Sequence, residues 1–285
     1  MKQLTFKPLV TACLIASAST AFAQQAYPFQ SPEVWAAWGQ GYQGQNTVIN
    51  IHDDFKTVDG FNHGAWISQY ASITAPLASV VNHQNGGPAI VGITPNKLNI
   101  FNMSYGYYSS TGMGPLVAST AAIIGYAQKG QAIVTFAAGN DAVPMGAVVM
   151  QGEYQGKIDK MGLQLAGQPS AIIVGALSTN GTTSKPASMA SYSNTASTSP
   201  VFQQNFLVVG VDTTAGIPAG TSYAAPIVAG YAAILGSKFP TANAMAVSNQ
   251  LLNTARTDTV AGYDPAIYGR GEASISRALA PISIR

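Results

Sequence analysis

A serine before an apolar helical segment has the clearest chemical context in the chain. Ser222 lies in the segment GTSYAAP at residues 220–226, and the pattern predicts a helix from Tyr223 to Phe239. This helix has no polar face, which predicts that it is buried. Helix-terminal N–H groups stabilise the negative charge that develops on a substrate oxygen during acyl transfer, so Ser222 suits a nucleophile. Serine is also a common helix N-cap, and the motif alone leaves both interpretations open.

A histidine and an aspartate supply the other groups that activate a serine. His63 stands at the start of a predicted helix that runs from Gly64 to Ala75. Asp53 and Asp54 follow a predicted strand, where a carboxylate could orient the histidine that accepts the serine proton. Side chains of successive strand residues point to opposite faces, so only one of these aspartates can face His63. Solvated loop acids are the alternative interpretation.

An asparagine follows another apolar strand. The segment from Ala132 to Ala137 predicts a strand, and Asn140 lies three residues beyond it. Its side-chain N–H could stabilise an oxyanion, although Asn after Gly also marks many turns. The remaining histidines, His52 in a strand segment and His83 in an Asn- and Gly-rich loop, are expected to be structural or solvated.

Alternating strands and helices must position these side chains. Apolar, β-branched segments predict strands buried on both faces: Thr47 to Ile51, Leu98 to Met103, Ala132 to Ala137, Ala171 to Val174 and Phe206 to Val211. Helical patterns occur at Ser31 to Trp38, Gly64 to Ala75, Leu116 to Lys129, Tyr223 to Phe239 and Ala242 to Thr254. This order predicts an α/β fold with a mainly parallel sheet, helices on both faces and an active site at the carboxyl ends of the strands.

Three segments interrupt this pattern. Ser178 to Ser199 and Thr213 to Thr221 are rich in Gly, Ser and Thr, which predicts surface loops. Met145 to Gly167 fits neither the helical nor the strand period and is expected to be irregular.

The N-terminal segment predicts export. Residues 1–23 combine two lysines, a short apolar stretch and a terminal AFA sequence that suits signal peptidase, which leaves residues 24–285 as one domain. The apolar stretch is short for a membrane anchor, so no stable membrane insertion is expected. A lipobox ending at Cys13 is a weaker alternative. Periplasmic and extracellular fates both stay open.

Composition excludes several functional classes. The chain has 285 residues, 47% hydrophobic and 8% charged, which excludes disorder as its main character. Cleavage after Ala23 would remove Lys2, Lys7 and the single cysteine, leaving 13 − 2 = 11 basic against 11 acidic residues. No basic patch indicates a nucleic-acid partner, and no His-Glu or Cys cluster has metal-ligand spacing. The oligomeric state stays open.

In the order Asp, His, Asn and Ser, these segments resemble the subtilase (peptidase S8) family over about residues 31–280. The resemblance implies a three-layer subtilisin-like fold and a serine endopeptidase that hydrolyses protein or peptide substrates through an acyl-enzyme. It also implies structural calcium in some members, which these loops do not locate, and no required cofactor. The implied catalytic residues are Asp53, His63 and Ser222, the oxyanion donor is Asn140, and the substrate-binding residues are Ser104, Tyr105, Gly106, Ala137, Ala138 and Gly139.

Departures from the family pattern support a second hypothesis. His63 follows Asp53 by only ten residues, no chaperone propeptide fits between Ala23 and Ser31, and Tyr223 replaces a frequent Met. A catalytically impaired binding protein with the same fold is therefore the alternative. An α/β-hydrolase esterase is a weaker one, because Ser222 is not in a Gly-x-Ser-x-Gly elbow.

Overall fold

A computed structural model describes residues 30–87, 89–211 and 219–285. The predicted signal peptide, and most of the loop predicted from Thr213 to Thr221, lie outside the described residues. No described helix is both long enough and apolar enough to span a membrane.

Helices and strands alternate along the described chain. The strands are β1 (Thr47–Asp53), β2 (Ser79–Gln84), β3 (Leu98–Met103), β4 (Tyr108–Ser109), β5 (Ile133–Ala137), β6 (Ile158–Asp159), β7 (Ala171–Leu177) and β8 (Phe206–Gly210). The helices are α1 (Pro32–Gly39), α2 (His63–Thr74), α3 (Ala118–Gln128), α4 (Lys160–Leu165), α5 (Pro200–Asn205), α6 (Thr221–Lys238), α7 (Ala244–Asn253), α8 (Pro265–Tyr268) and α9 (Ile275–Leu279).

Six strands form one parallel sheet in the order β2-β1-β3-β5-β7-β8. Strands β1, β5, β7 and β8 are buried along their full lengths, as expected where helices cover both faces. The predicted α/β fold with a mainly parallel sheet is confirmed. A separate antiparallel pair joins β4 to β6.

Two hydrophobic cores lie on opposite faces of the sheet. One contains side chains of α1, α2, α6, α7 and α9, and the other contains side chains of α3, α4, α5 and α8. Helix α6 is buried from Tyr223 to Gly236, as its apolar composition predicts. It packs against α2 so closely that a methyl group on Gly230 would come within 2.5 Å of Thr74. This contact joins the end of α2 to the middle of α6, the two helices that carry His63 and Ser222.

Two local predictions were wrong. His83 lies in the edge strand β2, which the sequence did not reveal because its side chains are largely exposed and show no apolar pattern. The segment from Met145 to Gly167 contains β6 and α4, both too short to establish a period. The segment from Ser178 to Ser199 is a loop of mostly exposed or half-buried residues, as predicted, with a few buried side chains that include those of Ala187, Ala190 and Ala196.

Candidate active site

The predicted catalytic residues come together where three elements meet. Asp53 is the last residue of β1, His63 is the first of α2, and Ser222 is the second of α6. Asn140 follows the carboxyl end of β5. The site therefore lies at the edge of the sheet that the parallel topology predicts.

Asp53, not Asp54, contacts His63. The Asp53 Oδ1 atom lies 2.6 Å from His63 Nδ1, whereas the partly exposed Asp54 carboxylate accepts hydrogen bonds from Lys56 N and Gln84 Nε2. Burial raises the pKa of the Asp53 carboxyl, and hydrogen bonds from His63 and from the Asp54 backbone N–H oppose that rise. A carboxylate only accepts, so this contact places the imidazole proton on Nδ1 and leaves the Nε2 lone pair free.

Ser222 makes its contacts with the end of β3. Its hydroxyl donates to the Ser104 carbonyl at 3.2 Å, and the Ser104 hydroxyl donates to the Ser222 carbonyl at 2.8 Å. Within the described part of the chain, Ser222 forms no hydrogen bond with His63. Tyr223 directly follows Ser222 in the sequence, and the centroid of its ring lies 6.0 Å from that of His63.

Thr221 holds the Asn140 side chain in one orientation. Asn140 Oδ1 accepts hydrogen bonds from the Thr221 backbone N–H at 2.8 Å and from its hydroxyl at 3.0 Å. The Thr221 hydroxyl also accepts from Gly139 N at 3.0 Å. Because Oδ1 is occupied, Nδ2 is the end of the exposed amide that is free to donate.

Asn194 shapes the loop that carries Asn140. Its Oδ1 accepts from the backbone N–H groups of Asp141 and Val143, and its Nδ2 donates to the Ala138 carbonyl. Gly139 has a φ angle of 106°, and a Cβ there would lie 2.4 Å from Asn194 Nδ2. Only glycine satisfies both the backbone conformation and the close approach.

The predicted substrate-binding segments line a cavity of about 290 Å³ beside Ser222. Ser104, Tyr105, Gly106, Ala137 and Gly139 contribute to its wall. Ala138 does not, since its side chain is buried in the α3 core and both its backbone groups are hydrogen-bonded.

His52 lies behind this wall. It is fully buried, and its Nδ1 lies 2.5 Å from the Tyr105 hydroxyl, which also contacts Thr120. Burial lowers the pKa of His52 to about 4, so the imidazole is neutral at physiological pH. Its contacts fit the structural role expected from the sequence.

Comparison with protein families decides the identification. The Subtilase family matches residues 41–271, which is most of the chain and contains every predicted site residue. This chain belongs to the subtilase family. It is therefore a serine-type, subtilisin-like peptidase, and its substrates are proteins or peptides.

Solved structures show the same subtilase fold. A lanthipeptide protease is 19% identical, with 86% of this chain and 91% of that chain covered and a TM-score of 0.56. The MycP3 protease from the type VII (ESX-3) secretion system is 17% identical, with 90% of each chain covered and a TM-score of 0.59. A protease from Pseudoalteromonas arctica is 17% identical, with 91% and 95% covered and a TM-score of 0.55. A search of curated proteins gives no match.

Sequence reasoning missed several residues of the subtilase site. Asn194, Asp141, Tyr108, Tyr154 and Asp159 reach it from loops or from elements too short to show a pattern. Only Asp141 had a local signal, because it directly follows Asn140.

Proposed function

We propose that this subtilase is an exported serine endopeptidase in which Asp53, His63 and Ser222 form the catalytic triad. The observation that carries the proposal is the 2.6 Å contact between Asp53 Oδ1 and His63 Nδ1, at the sheet edge from which Ser222 opens helix α6. This contact fixes the imidazole tautomer that a general base requires.

The first chemical step transfers a proton. His63 Nε2 removes the proton of the Ser222 hydroxyl, and Ser222 Oγ attacks the scissile carbonyl carbon. The Ser222 hydroxyl must leave the Ser104 carbonyl for this step, and rotation about its Cα–Cβ bond is the movement that we propose. Active-site hydrogen bonds that form only with substrate bound are common.

The oxyanion then needs donors. Asn140 Nδ2, oriented by Thr221, and the Ser222 backbone N–H at the start of α6 are the proposed pair. One such donor contributes roughly 100-fold or more to kcat in comparable sites. His63 gives the proton to the leaving amine. In the second half of the reaction, His63 removes a proton from water, the water attacks the acyl-enzyme carbonyl, and His63 returns the proton to Ser222 Oγ.

The substrate backbone is proposed to lie between two segments. Ser104 to Gly106 follow β3, Ala137 and Gly139 lie at the end of the neighbouring parallel strand β5, and both groups line the cavity beside Ser222. An extended peptide added beside them would present its scissile carbonyl to Ser222. The steps use only side-chain and backbone groups, so the proposed chemistry requires no cofactor.

Export completes the proposal. Residues 1–23 have the features of a signal peptide, and structural relatives include proteases of secretion systems. Sequencing the N-terminus of the protein isolated from its native host should give Gln24 as the first residue. An intact Met1 there would contradict cleavage.

Casein hydrolysis tests the catalytic proposal. Purified wild-type protein should hydrolyse casein, and Ser222→Ala should lower the rate by at least about 10⁴-fold. Ser237→Ala, which removes a hydroxyl from the opposite end of the same helix, is the matched control and should retain activity. Equal rates for wild type and Ser222→Ala would instead support the binding-protein alternative.

A further inference from the structure

The cavity beside Ser222 contains negative charge. Besides the backbone segments that the sequence predicted, Asp141 and Asp159 contribute to its wall. Its volume of about 290 Å³ is at the small end for ligand pockets and suits a single side chain. Since it directly adjoins the nucleophile, the side chain that enters it belongs to a residue at the scissile bond.

Neither carboxylate has a cationic partner among the described residues. Asp159 accepts hydrogen bonds from the backbone N–H groups of Tyr107, Met161 and Gly162, and Asp141 accepts one from the Tyr108 hydroxyl. Two lysines on the same segment form no ion pair with either carboxylate: Lys160 donates to the Pro115 carbonyl, and Lys157 Nζ lies 5.8 Å from the centroid of the Tyr154 ring.

Helix capping alone does not explain Asp159. It is the N-cap of α4, but serine or asparagine would cap the same helix without placing a charge where solvent is restricted. Burial raises the pKa of Asp159 to about 6, and three backbone N–H donors only partly oppose this. Burial makes the ionised form of Asp159 unfavourable on its own. A cationic ligand in the adjoining cavity would stabilise that ionised form.

Two stacked tyrosines form part of the cavity wall. The rings of Tyr108 and Tyr154 stack with centroids 4.0 Å apart and planes 7° apart, and both line the cavity. Aromatic faces attract cations, and a planar guanidinium stacks on them well. The described residues contain no group of three or more His, Cys, Asp or Glu side chains that could hold a metal ion, which favours an organic cation.

The cavity lies on the acyl side of the scissile bond. Ser222 and Asn140, which would hold the carbonyl carbon and its oxygen, are in the wall, whereas His63, which must reach the leaving nitrogen, is not. The residue that donates the scissile carbonyl therefore places its side chain here.

We propose that this cavity binds the side chain of arginine or lysine, so that the enzyme cleaves peptide bonds after basic residues, with Asp159 as the specificity-determining residue. This inference rests on the proposed peptidase function. It follows from two carboxylates without a cationic partner, the stacked tyrosines and the position of the cavity beside Ser222.

Matched peptide substrates test the proposal without any mutation. Two fluorogenic peptides would differ only in arginine or its neutral isostere citrulline before the scissile bond, and a third would carry leucine. For the wild-type enzyme, kcat/KM for arginine should exceed that for citrulline roughly 10- to 100-fold, the effect of one or two charge-assisted hydrogen bonds. Equal or faster cleavage after citrulline or leucine would overturn the inference and leave the peptidase function intact. If none of the three peptides is cleaved, the result contradicts both the proposed peptidase function and the preference for basic residues.

Variants assign the preference to the cavity. Asp159→Asn retains a capping residue and should bring the arginine-to-citrulline ratio close to one. Asp264→Asn is the matched control, because Asp264 caps the short helix α8 and does not line the cavity, and it should keep the wild-type ratio. An unchanged ratio in folded Asp159→Asn would contradict the role of Asp159.

Discussion

At the residue scale, Thr221 positions the proposed oxyanion donor. Its hydroxyl is fully buried and connects Gly139 N to Asn140 Oδ1. Thr221→Val should lower kcat roughly tenfold with little change in KM, because the Asn140 side chain loses one of the two hydrogen bonds that fix its direction. Thr221→Ser keeps the hydroxyl and should retain most activity.

A double-mutant cycle separates this role from a purely structural one. In an Asn140→Ala background, Thr221→Val should have little further effect on kcat, since the group it positions is gone. An undiminished tenfold loss in that background would show that Thr221 does not act through Asn140.

Asp159 predicts a pH dependence of substrate preference. Burial raises the pKa of this carboxyl to about 6, so it is ionised above that pH and becomes neutral as the pH falls through it. From other segments, the groups around Asp159 are the Asp141 carboxyl, the Tyr107 backbone N–H and the Tyr108 hydroxyl. Its own segment adds Tyr154, Lys157 and Lys160. The negative charge in the cavity is therefore greatest at neutral and alkaline pH.

The measurement is the arginine-to-citrulline ratio of kcat/KM between pH 5 and 8. This ratio cancels titrations that affect both substrates alike, and it should be roughly tenfold lower at pH 5 than at pH 8. In Asp159→Asn the ratio should not vary with pH. A wild-type ratio that rises as the pH falls would have the wrong sign.

Local sequence patterns reveal only part of this site. Ser222, His63 and Asn140 each adjoin a helix or strand long enough to show a period, so their surroundings were predictable. The choice of Asp53 over Asp54 depends on where β1 ends. Asp159 and Asn194 reach the site from segments with no regular period, and only tertiary packing brings them there.

At the element scale, α2 and α6, which carry His63 and Ser222 of the proposed triad, pack against each other. Gly230→Ala would press a methyl group against Thr74 and should lower the free energy of unfolding by roughly 1–2 kcal/mol. Gly125→Ala in α3 is the control, because no atom lies within 4 Å of the added methyl group. It should be neutral or stabilise by up to about 1 kcal/mol.

Urea unfolding of both variants checks this pair. Equal stabilisation by the two alanines would mean that the α2 and α6 helices are not in close contact at Gly230.

The long strands and helices of this framework were predictable because buried elements have continuous apolar patterns. The edge strand β2 and the short helix α4 were not, since exposure or shortness removes that pattern.

At the scale of the whole molecule, hydrogen bonds of Glu33 connect the first described helix, α1, to the last one, α9. Its carboxylate on α1 accepts hydrogen bonds from the Ser274 hydroxyl and from Ser276 N, at the start of α9. A helix N-terminus and two donors both favour this negative charge. Arg256 Nη1 lies 3.9 Å from the same carboxylate.

Removing the Glu33 hydrogen bonds should destabilise the fold without changing the candidate active site. Glu33→Ala should lower the free energy of unfolding by roughly 1–2 kcal/mol, while kcat at a permissive temperature stays at the wild-type value. Glu153→Ala is the control, because Glu153 is exposed and forms no ion pair with a described residue, and it should leave stability unchanged. Equal stability of the two variants, measured in urea, would show that the α1 and α9 contact contributes little.

The most direct test of the catalytic account is the position of a covalent adduct. A fluorophosphonate probe reacts with an activated serine, and peptide mapping by mass spectrometry identifies the modified residue. We expect a single adduct on Ser222 in the wild type and strongly reduced labelling in His63→Ala, because the serine then lacks its base. An adduct on a different residue, or no adduct on protein that hydrolyses casein, would contradict the account.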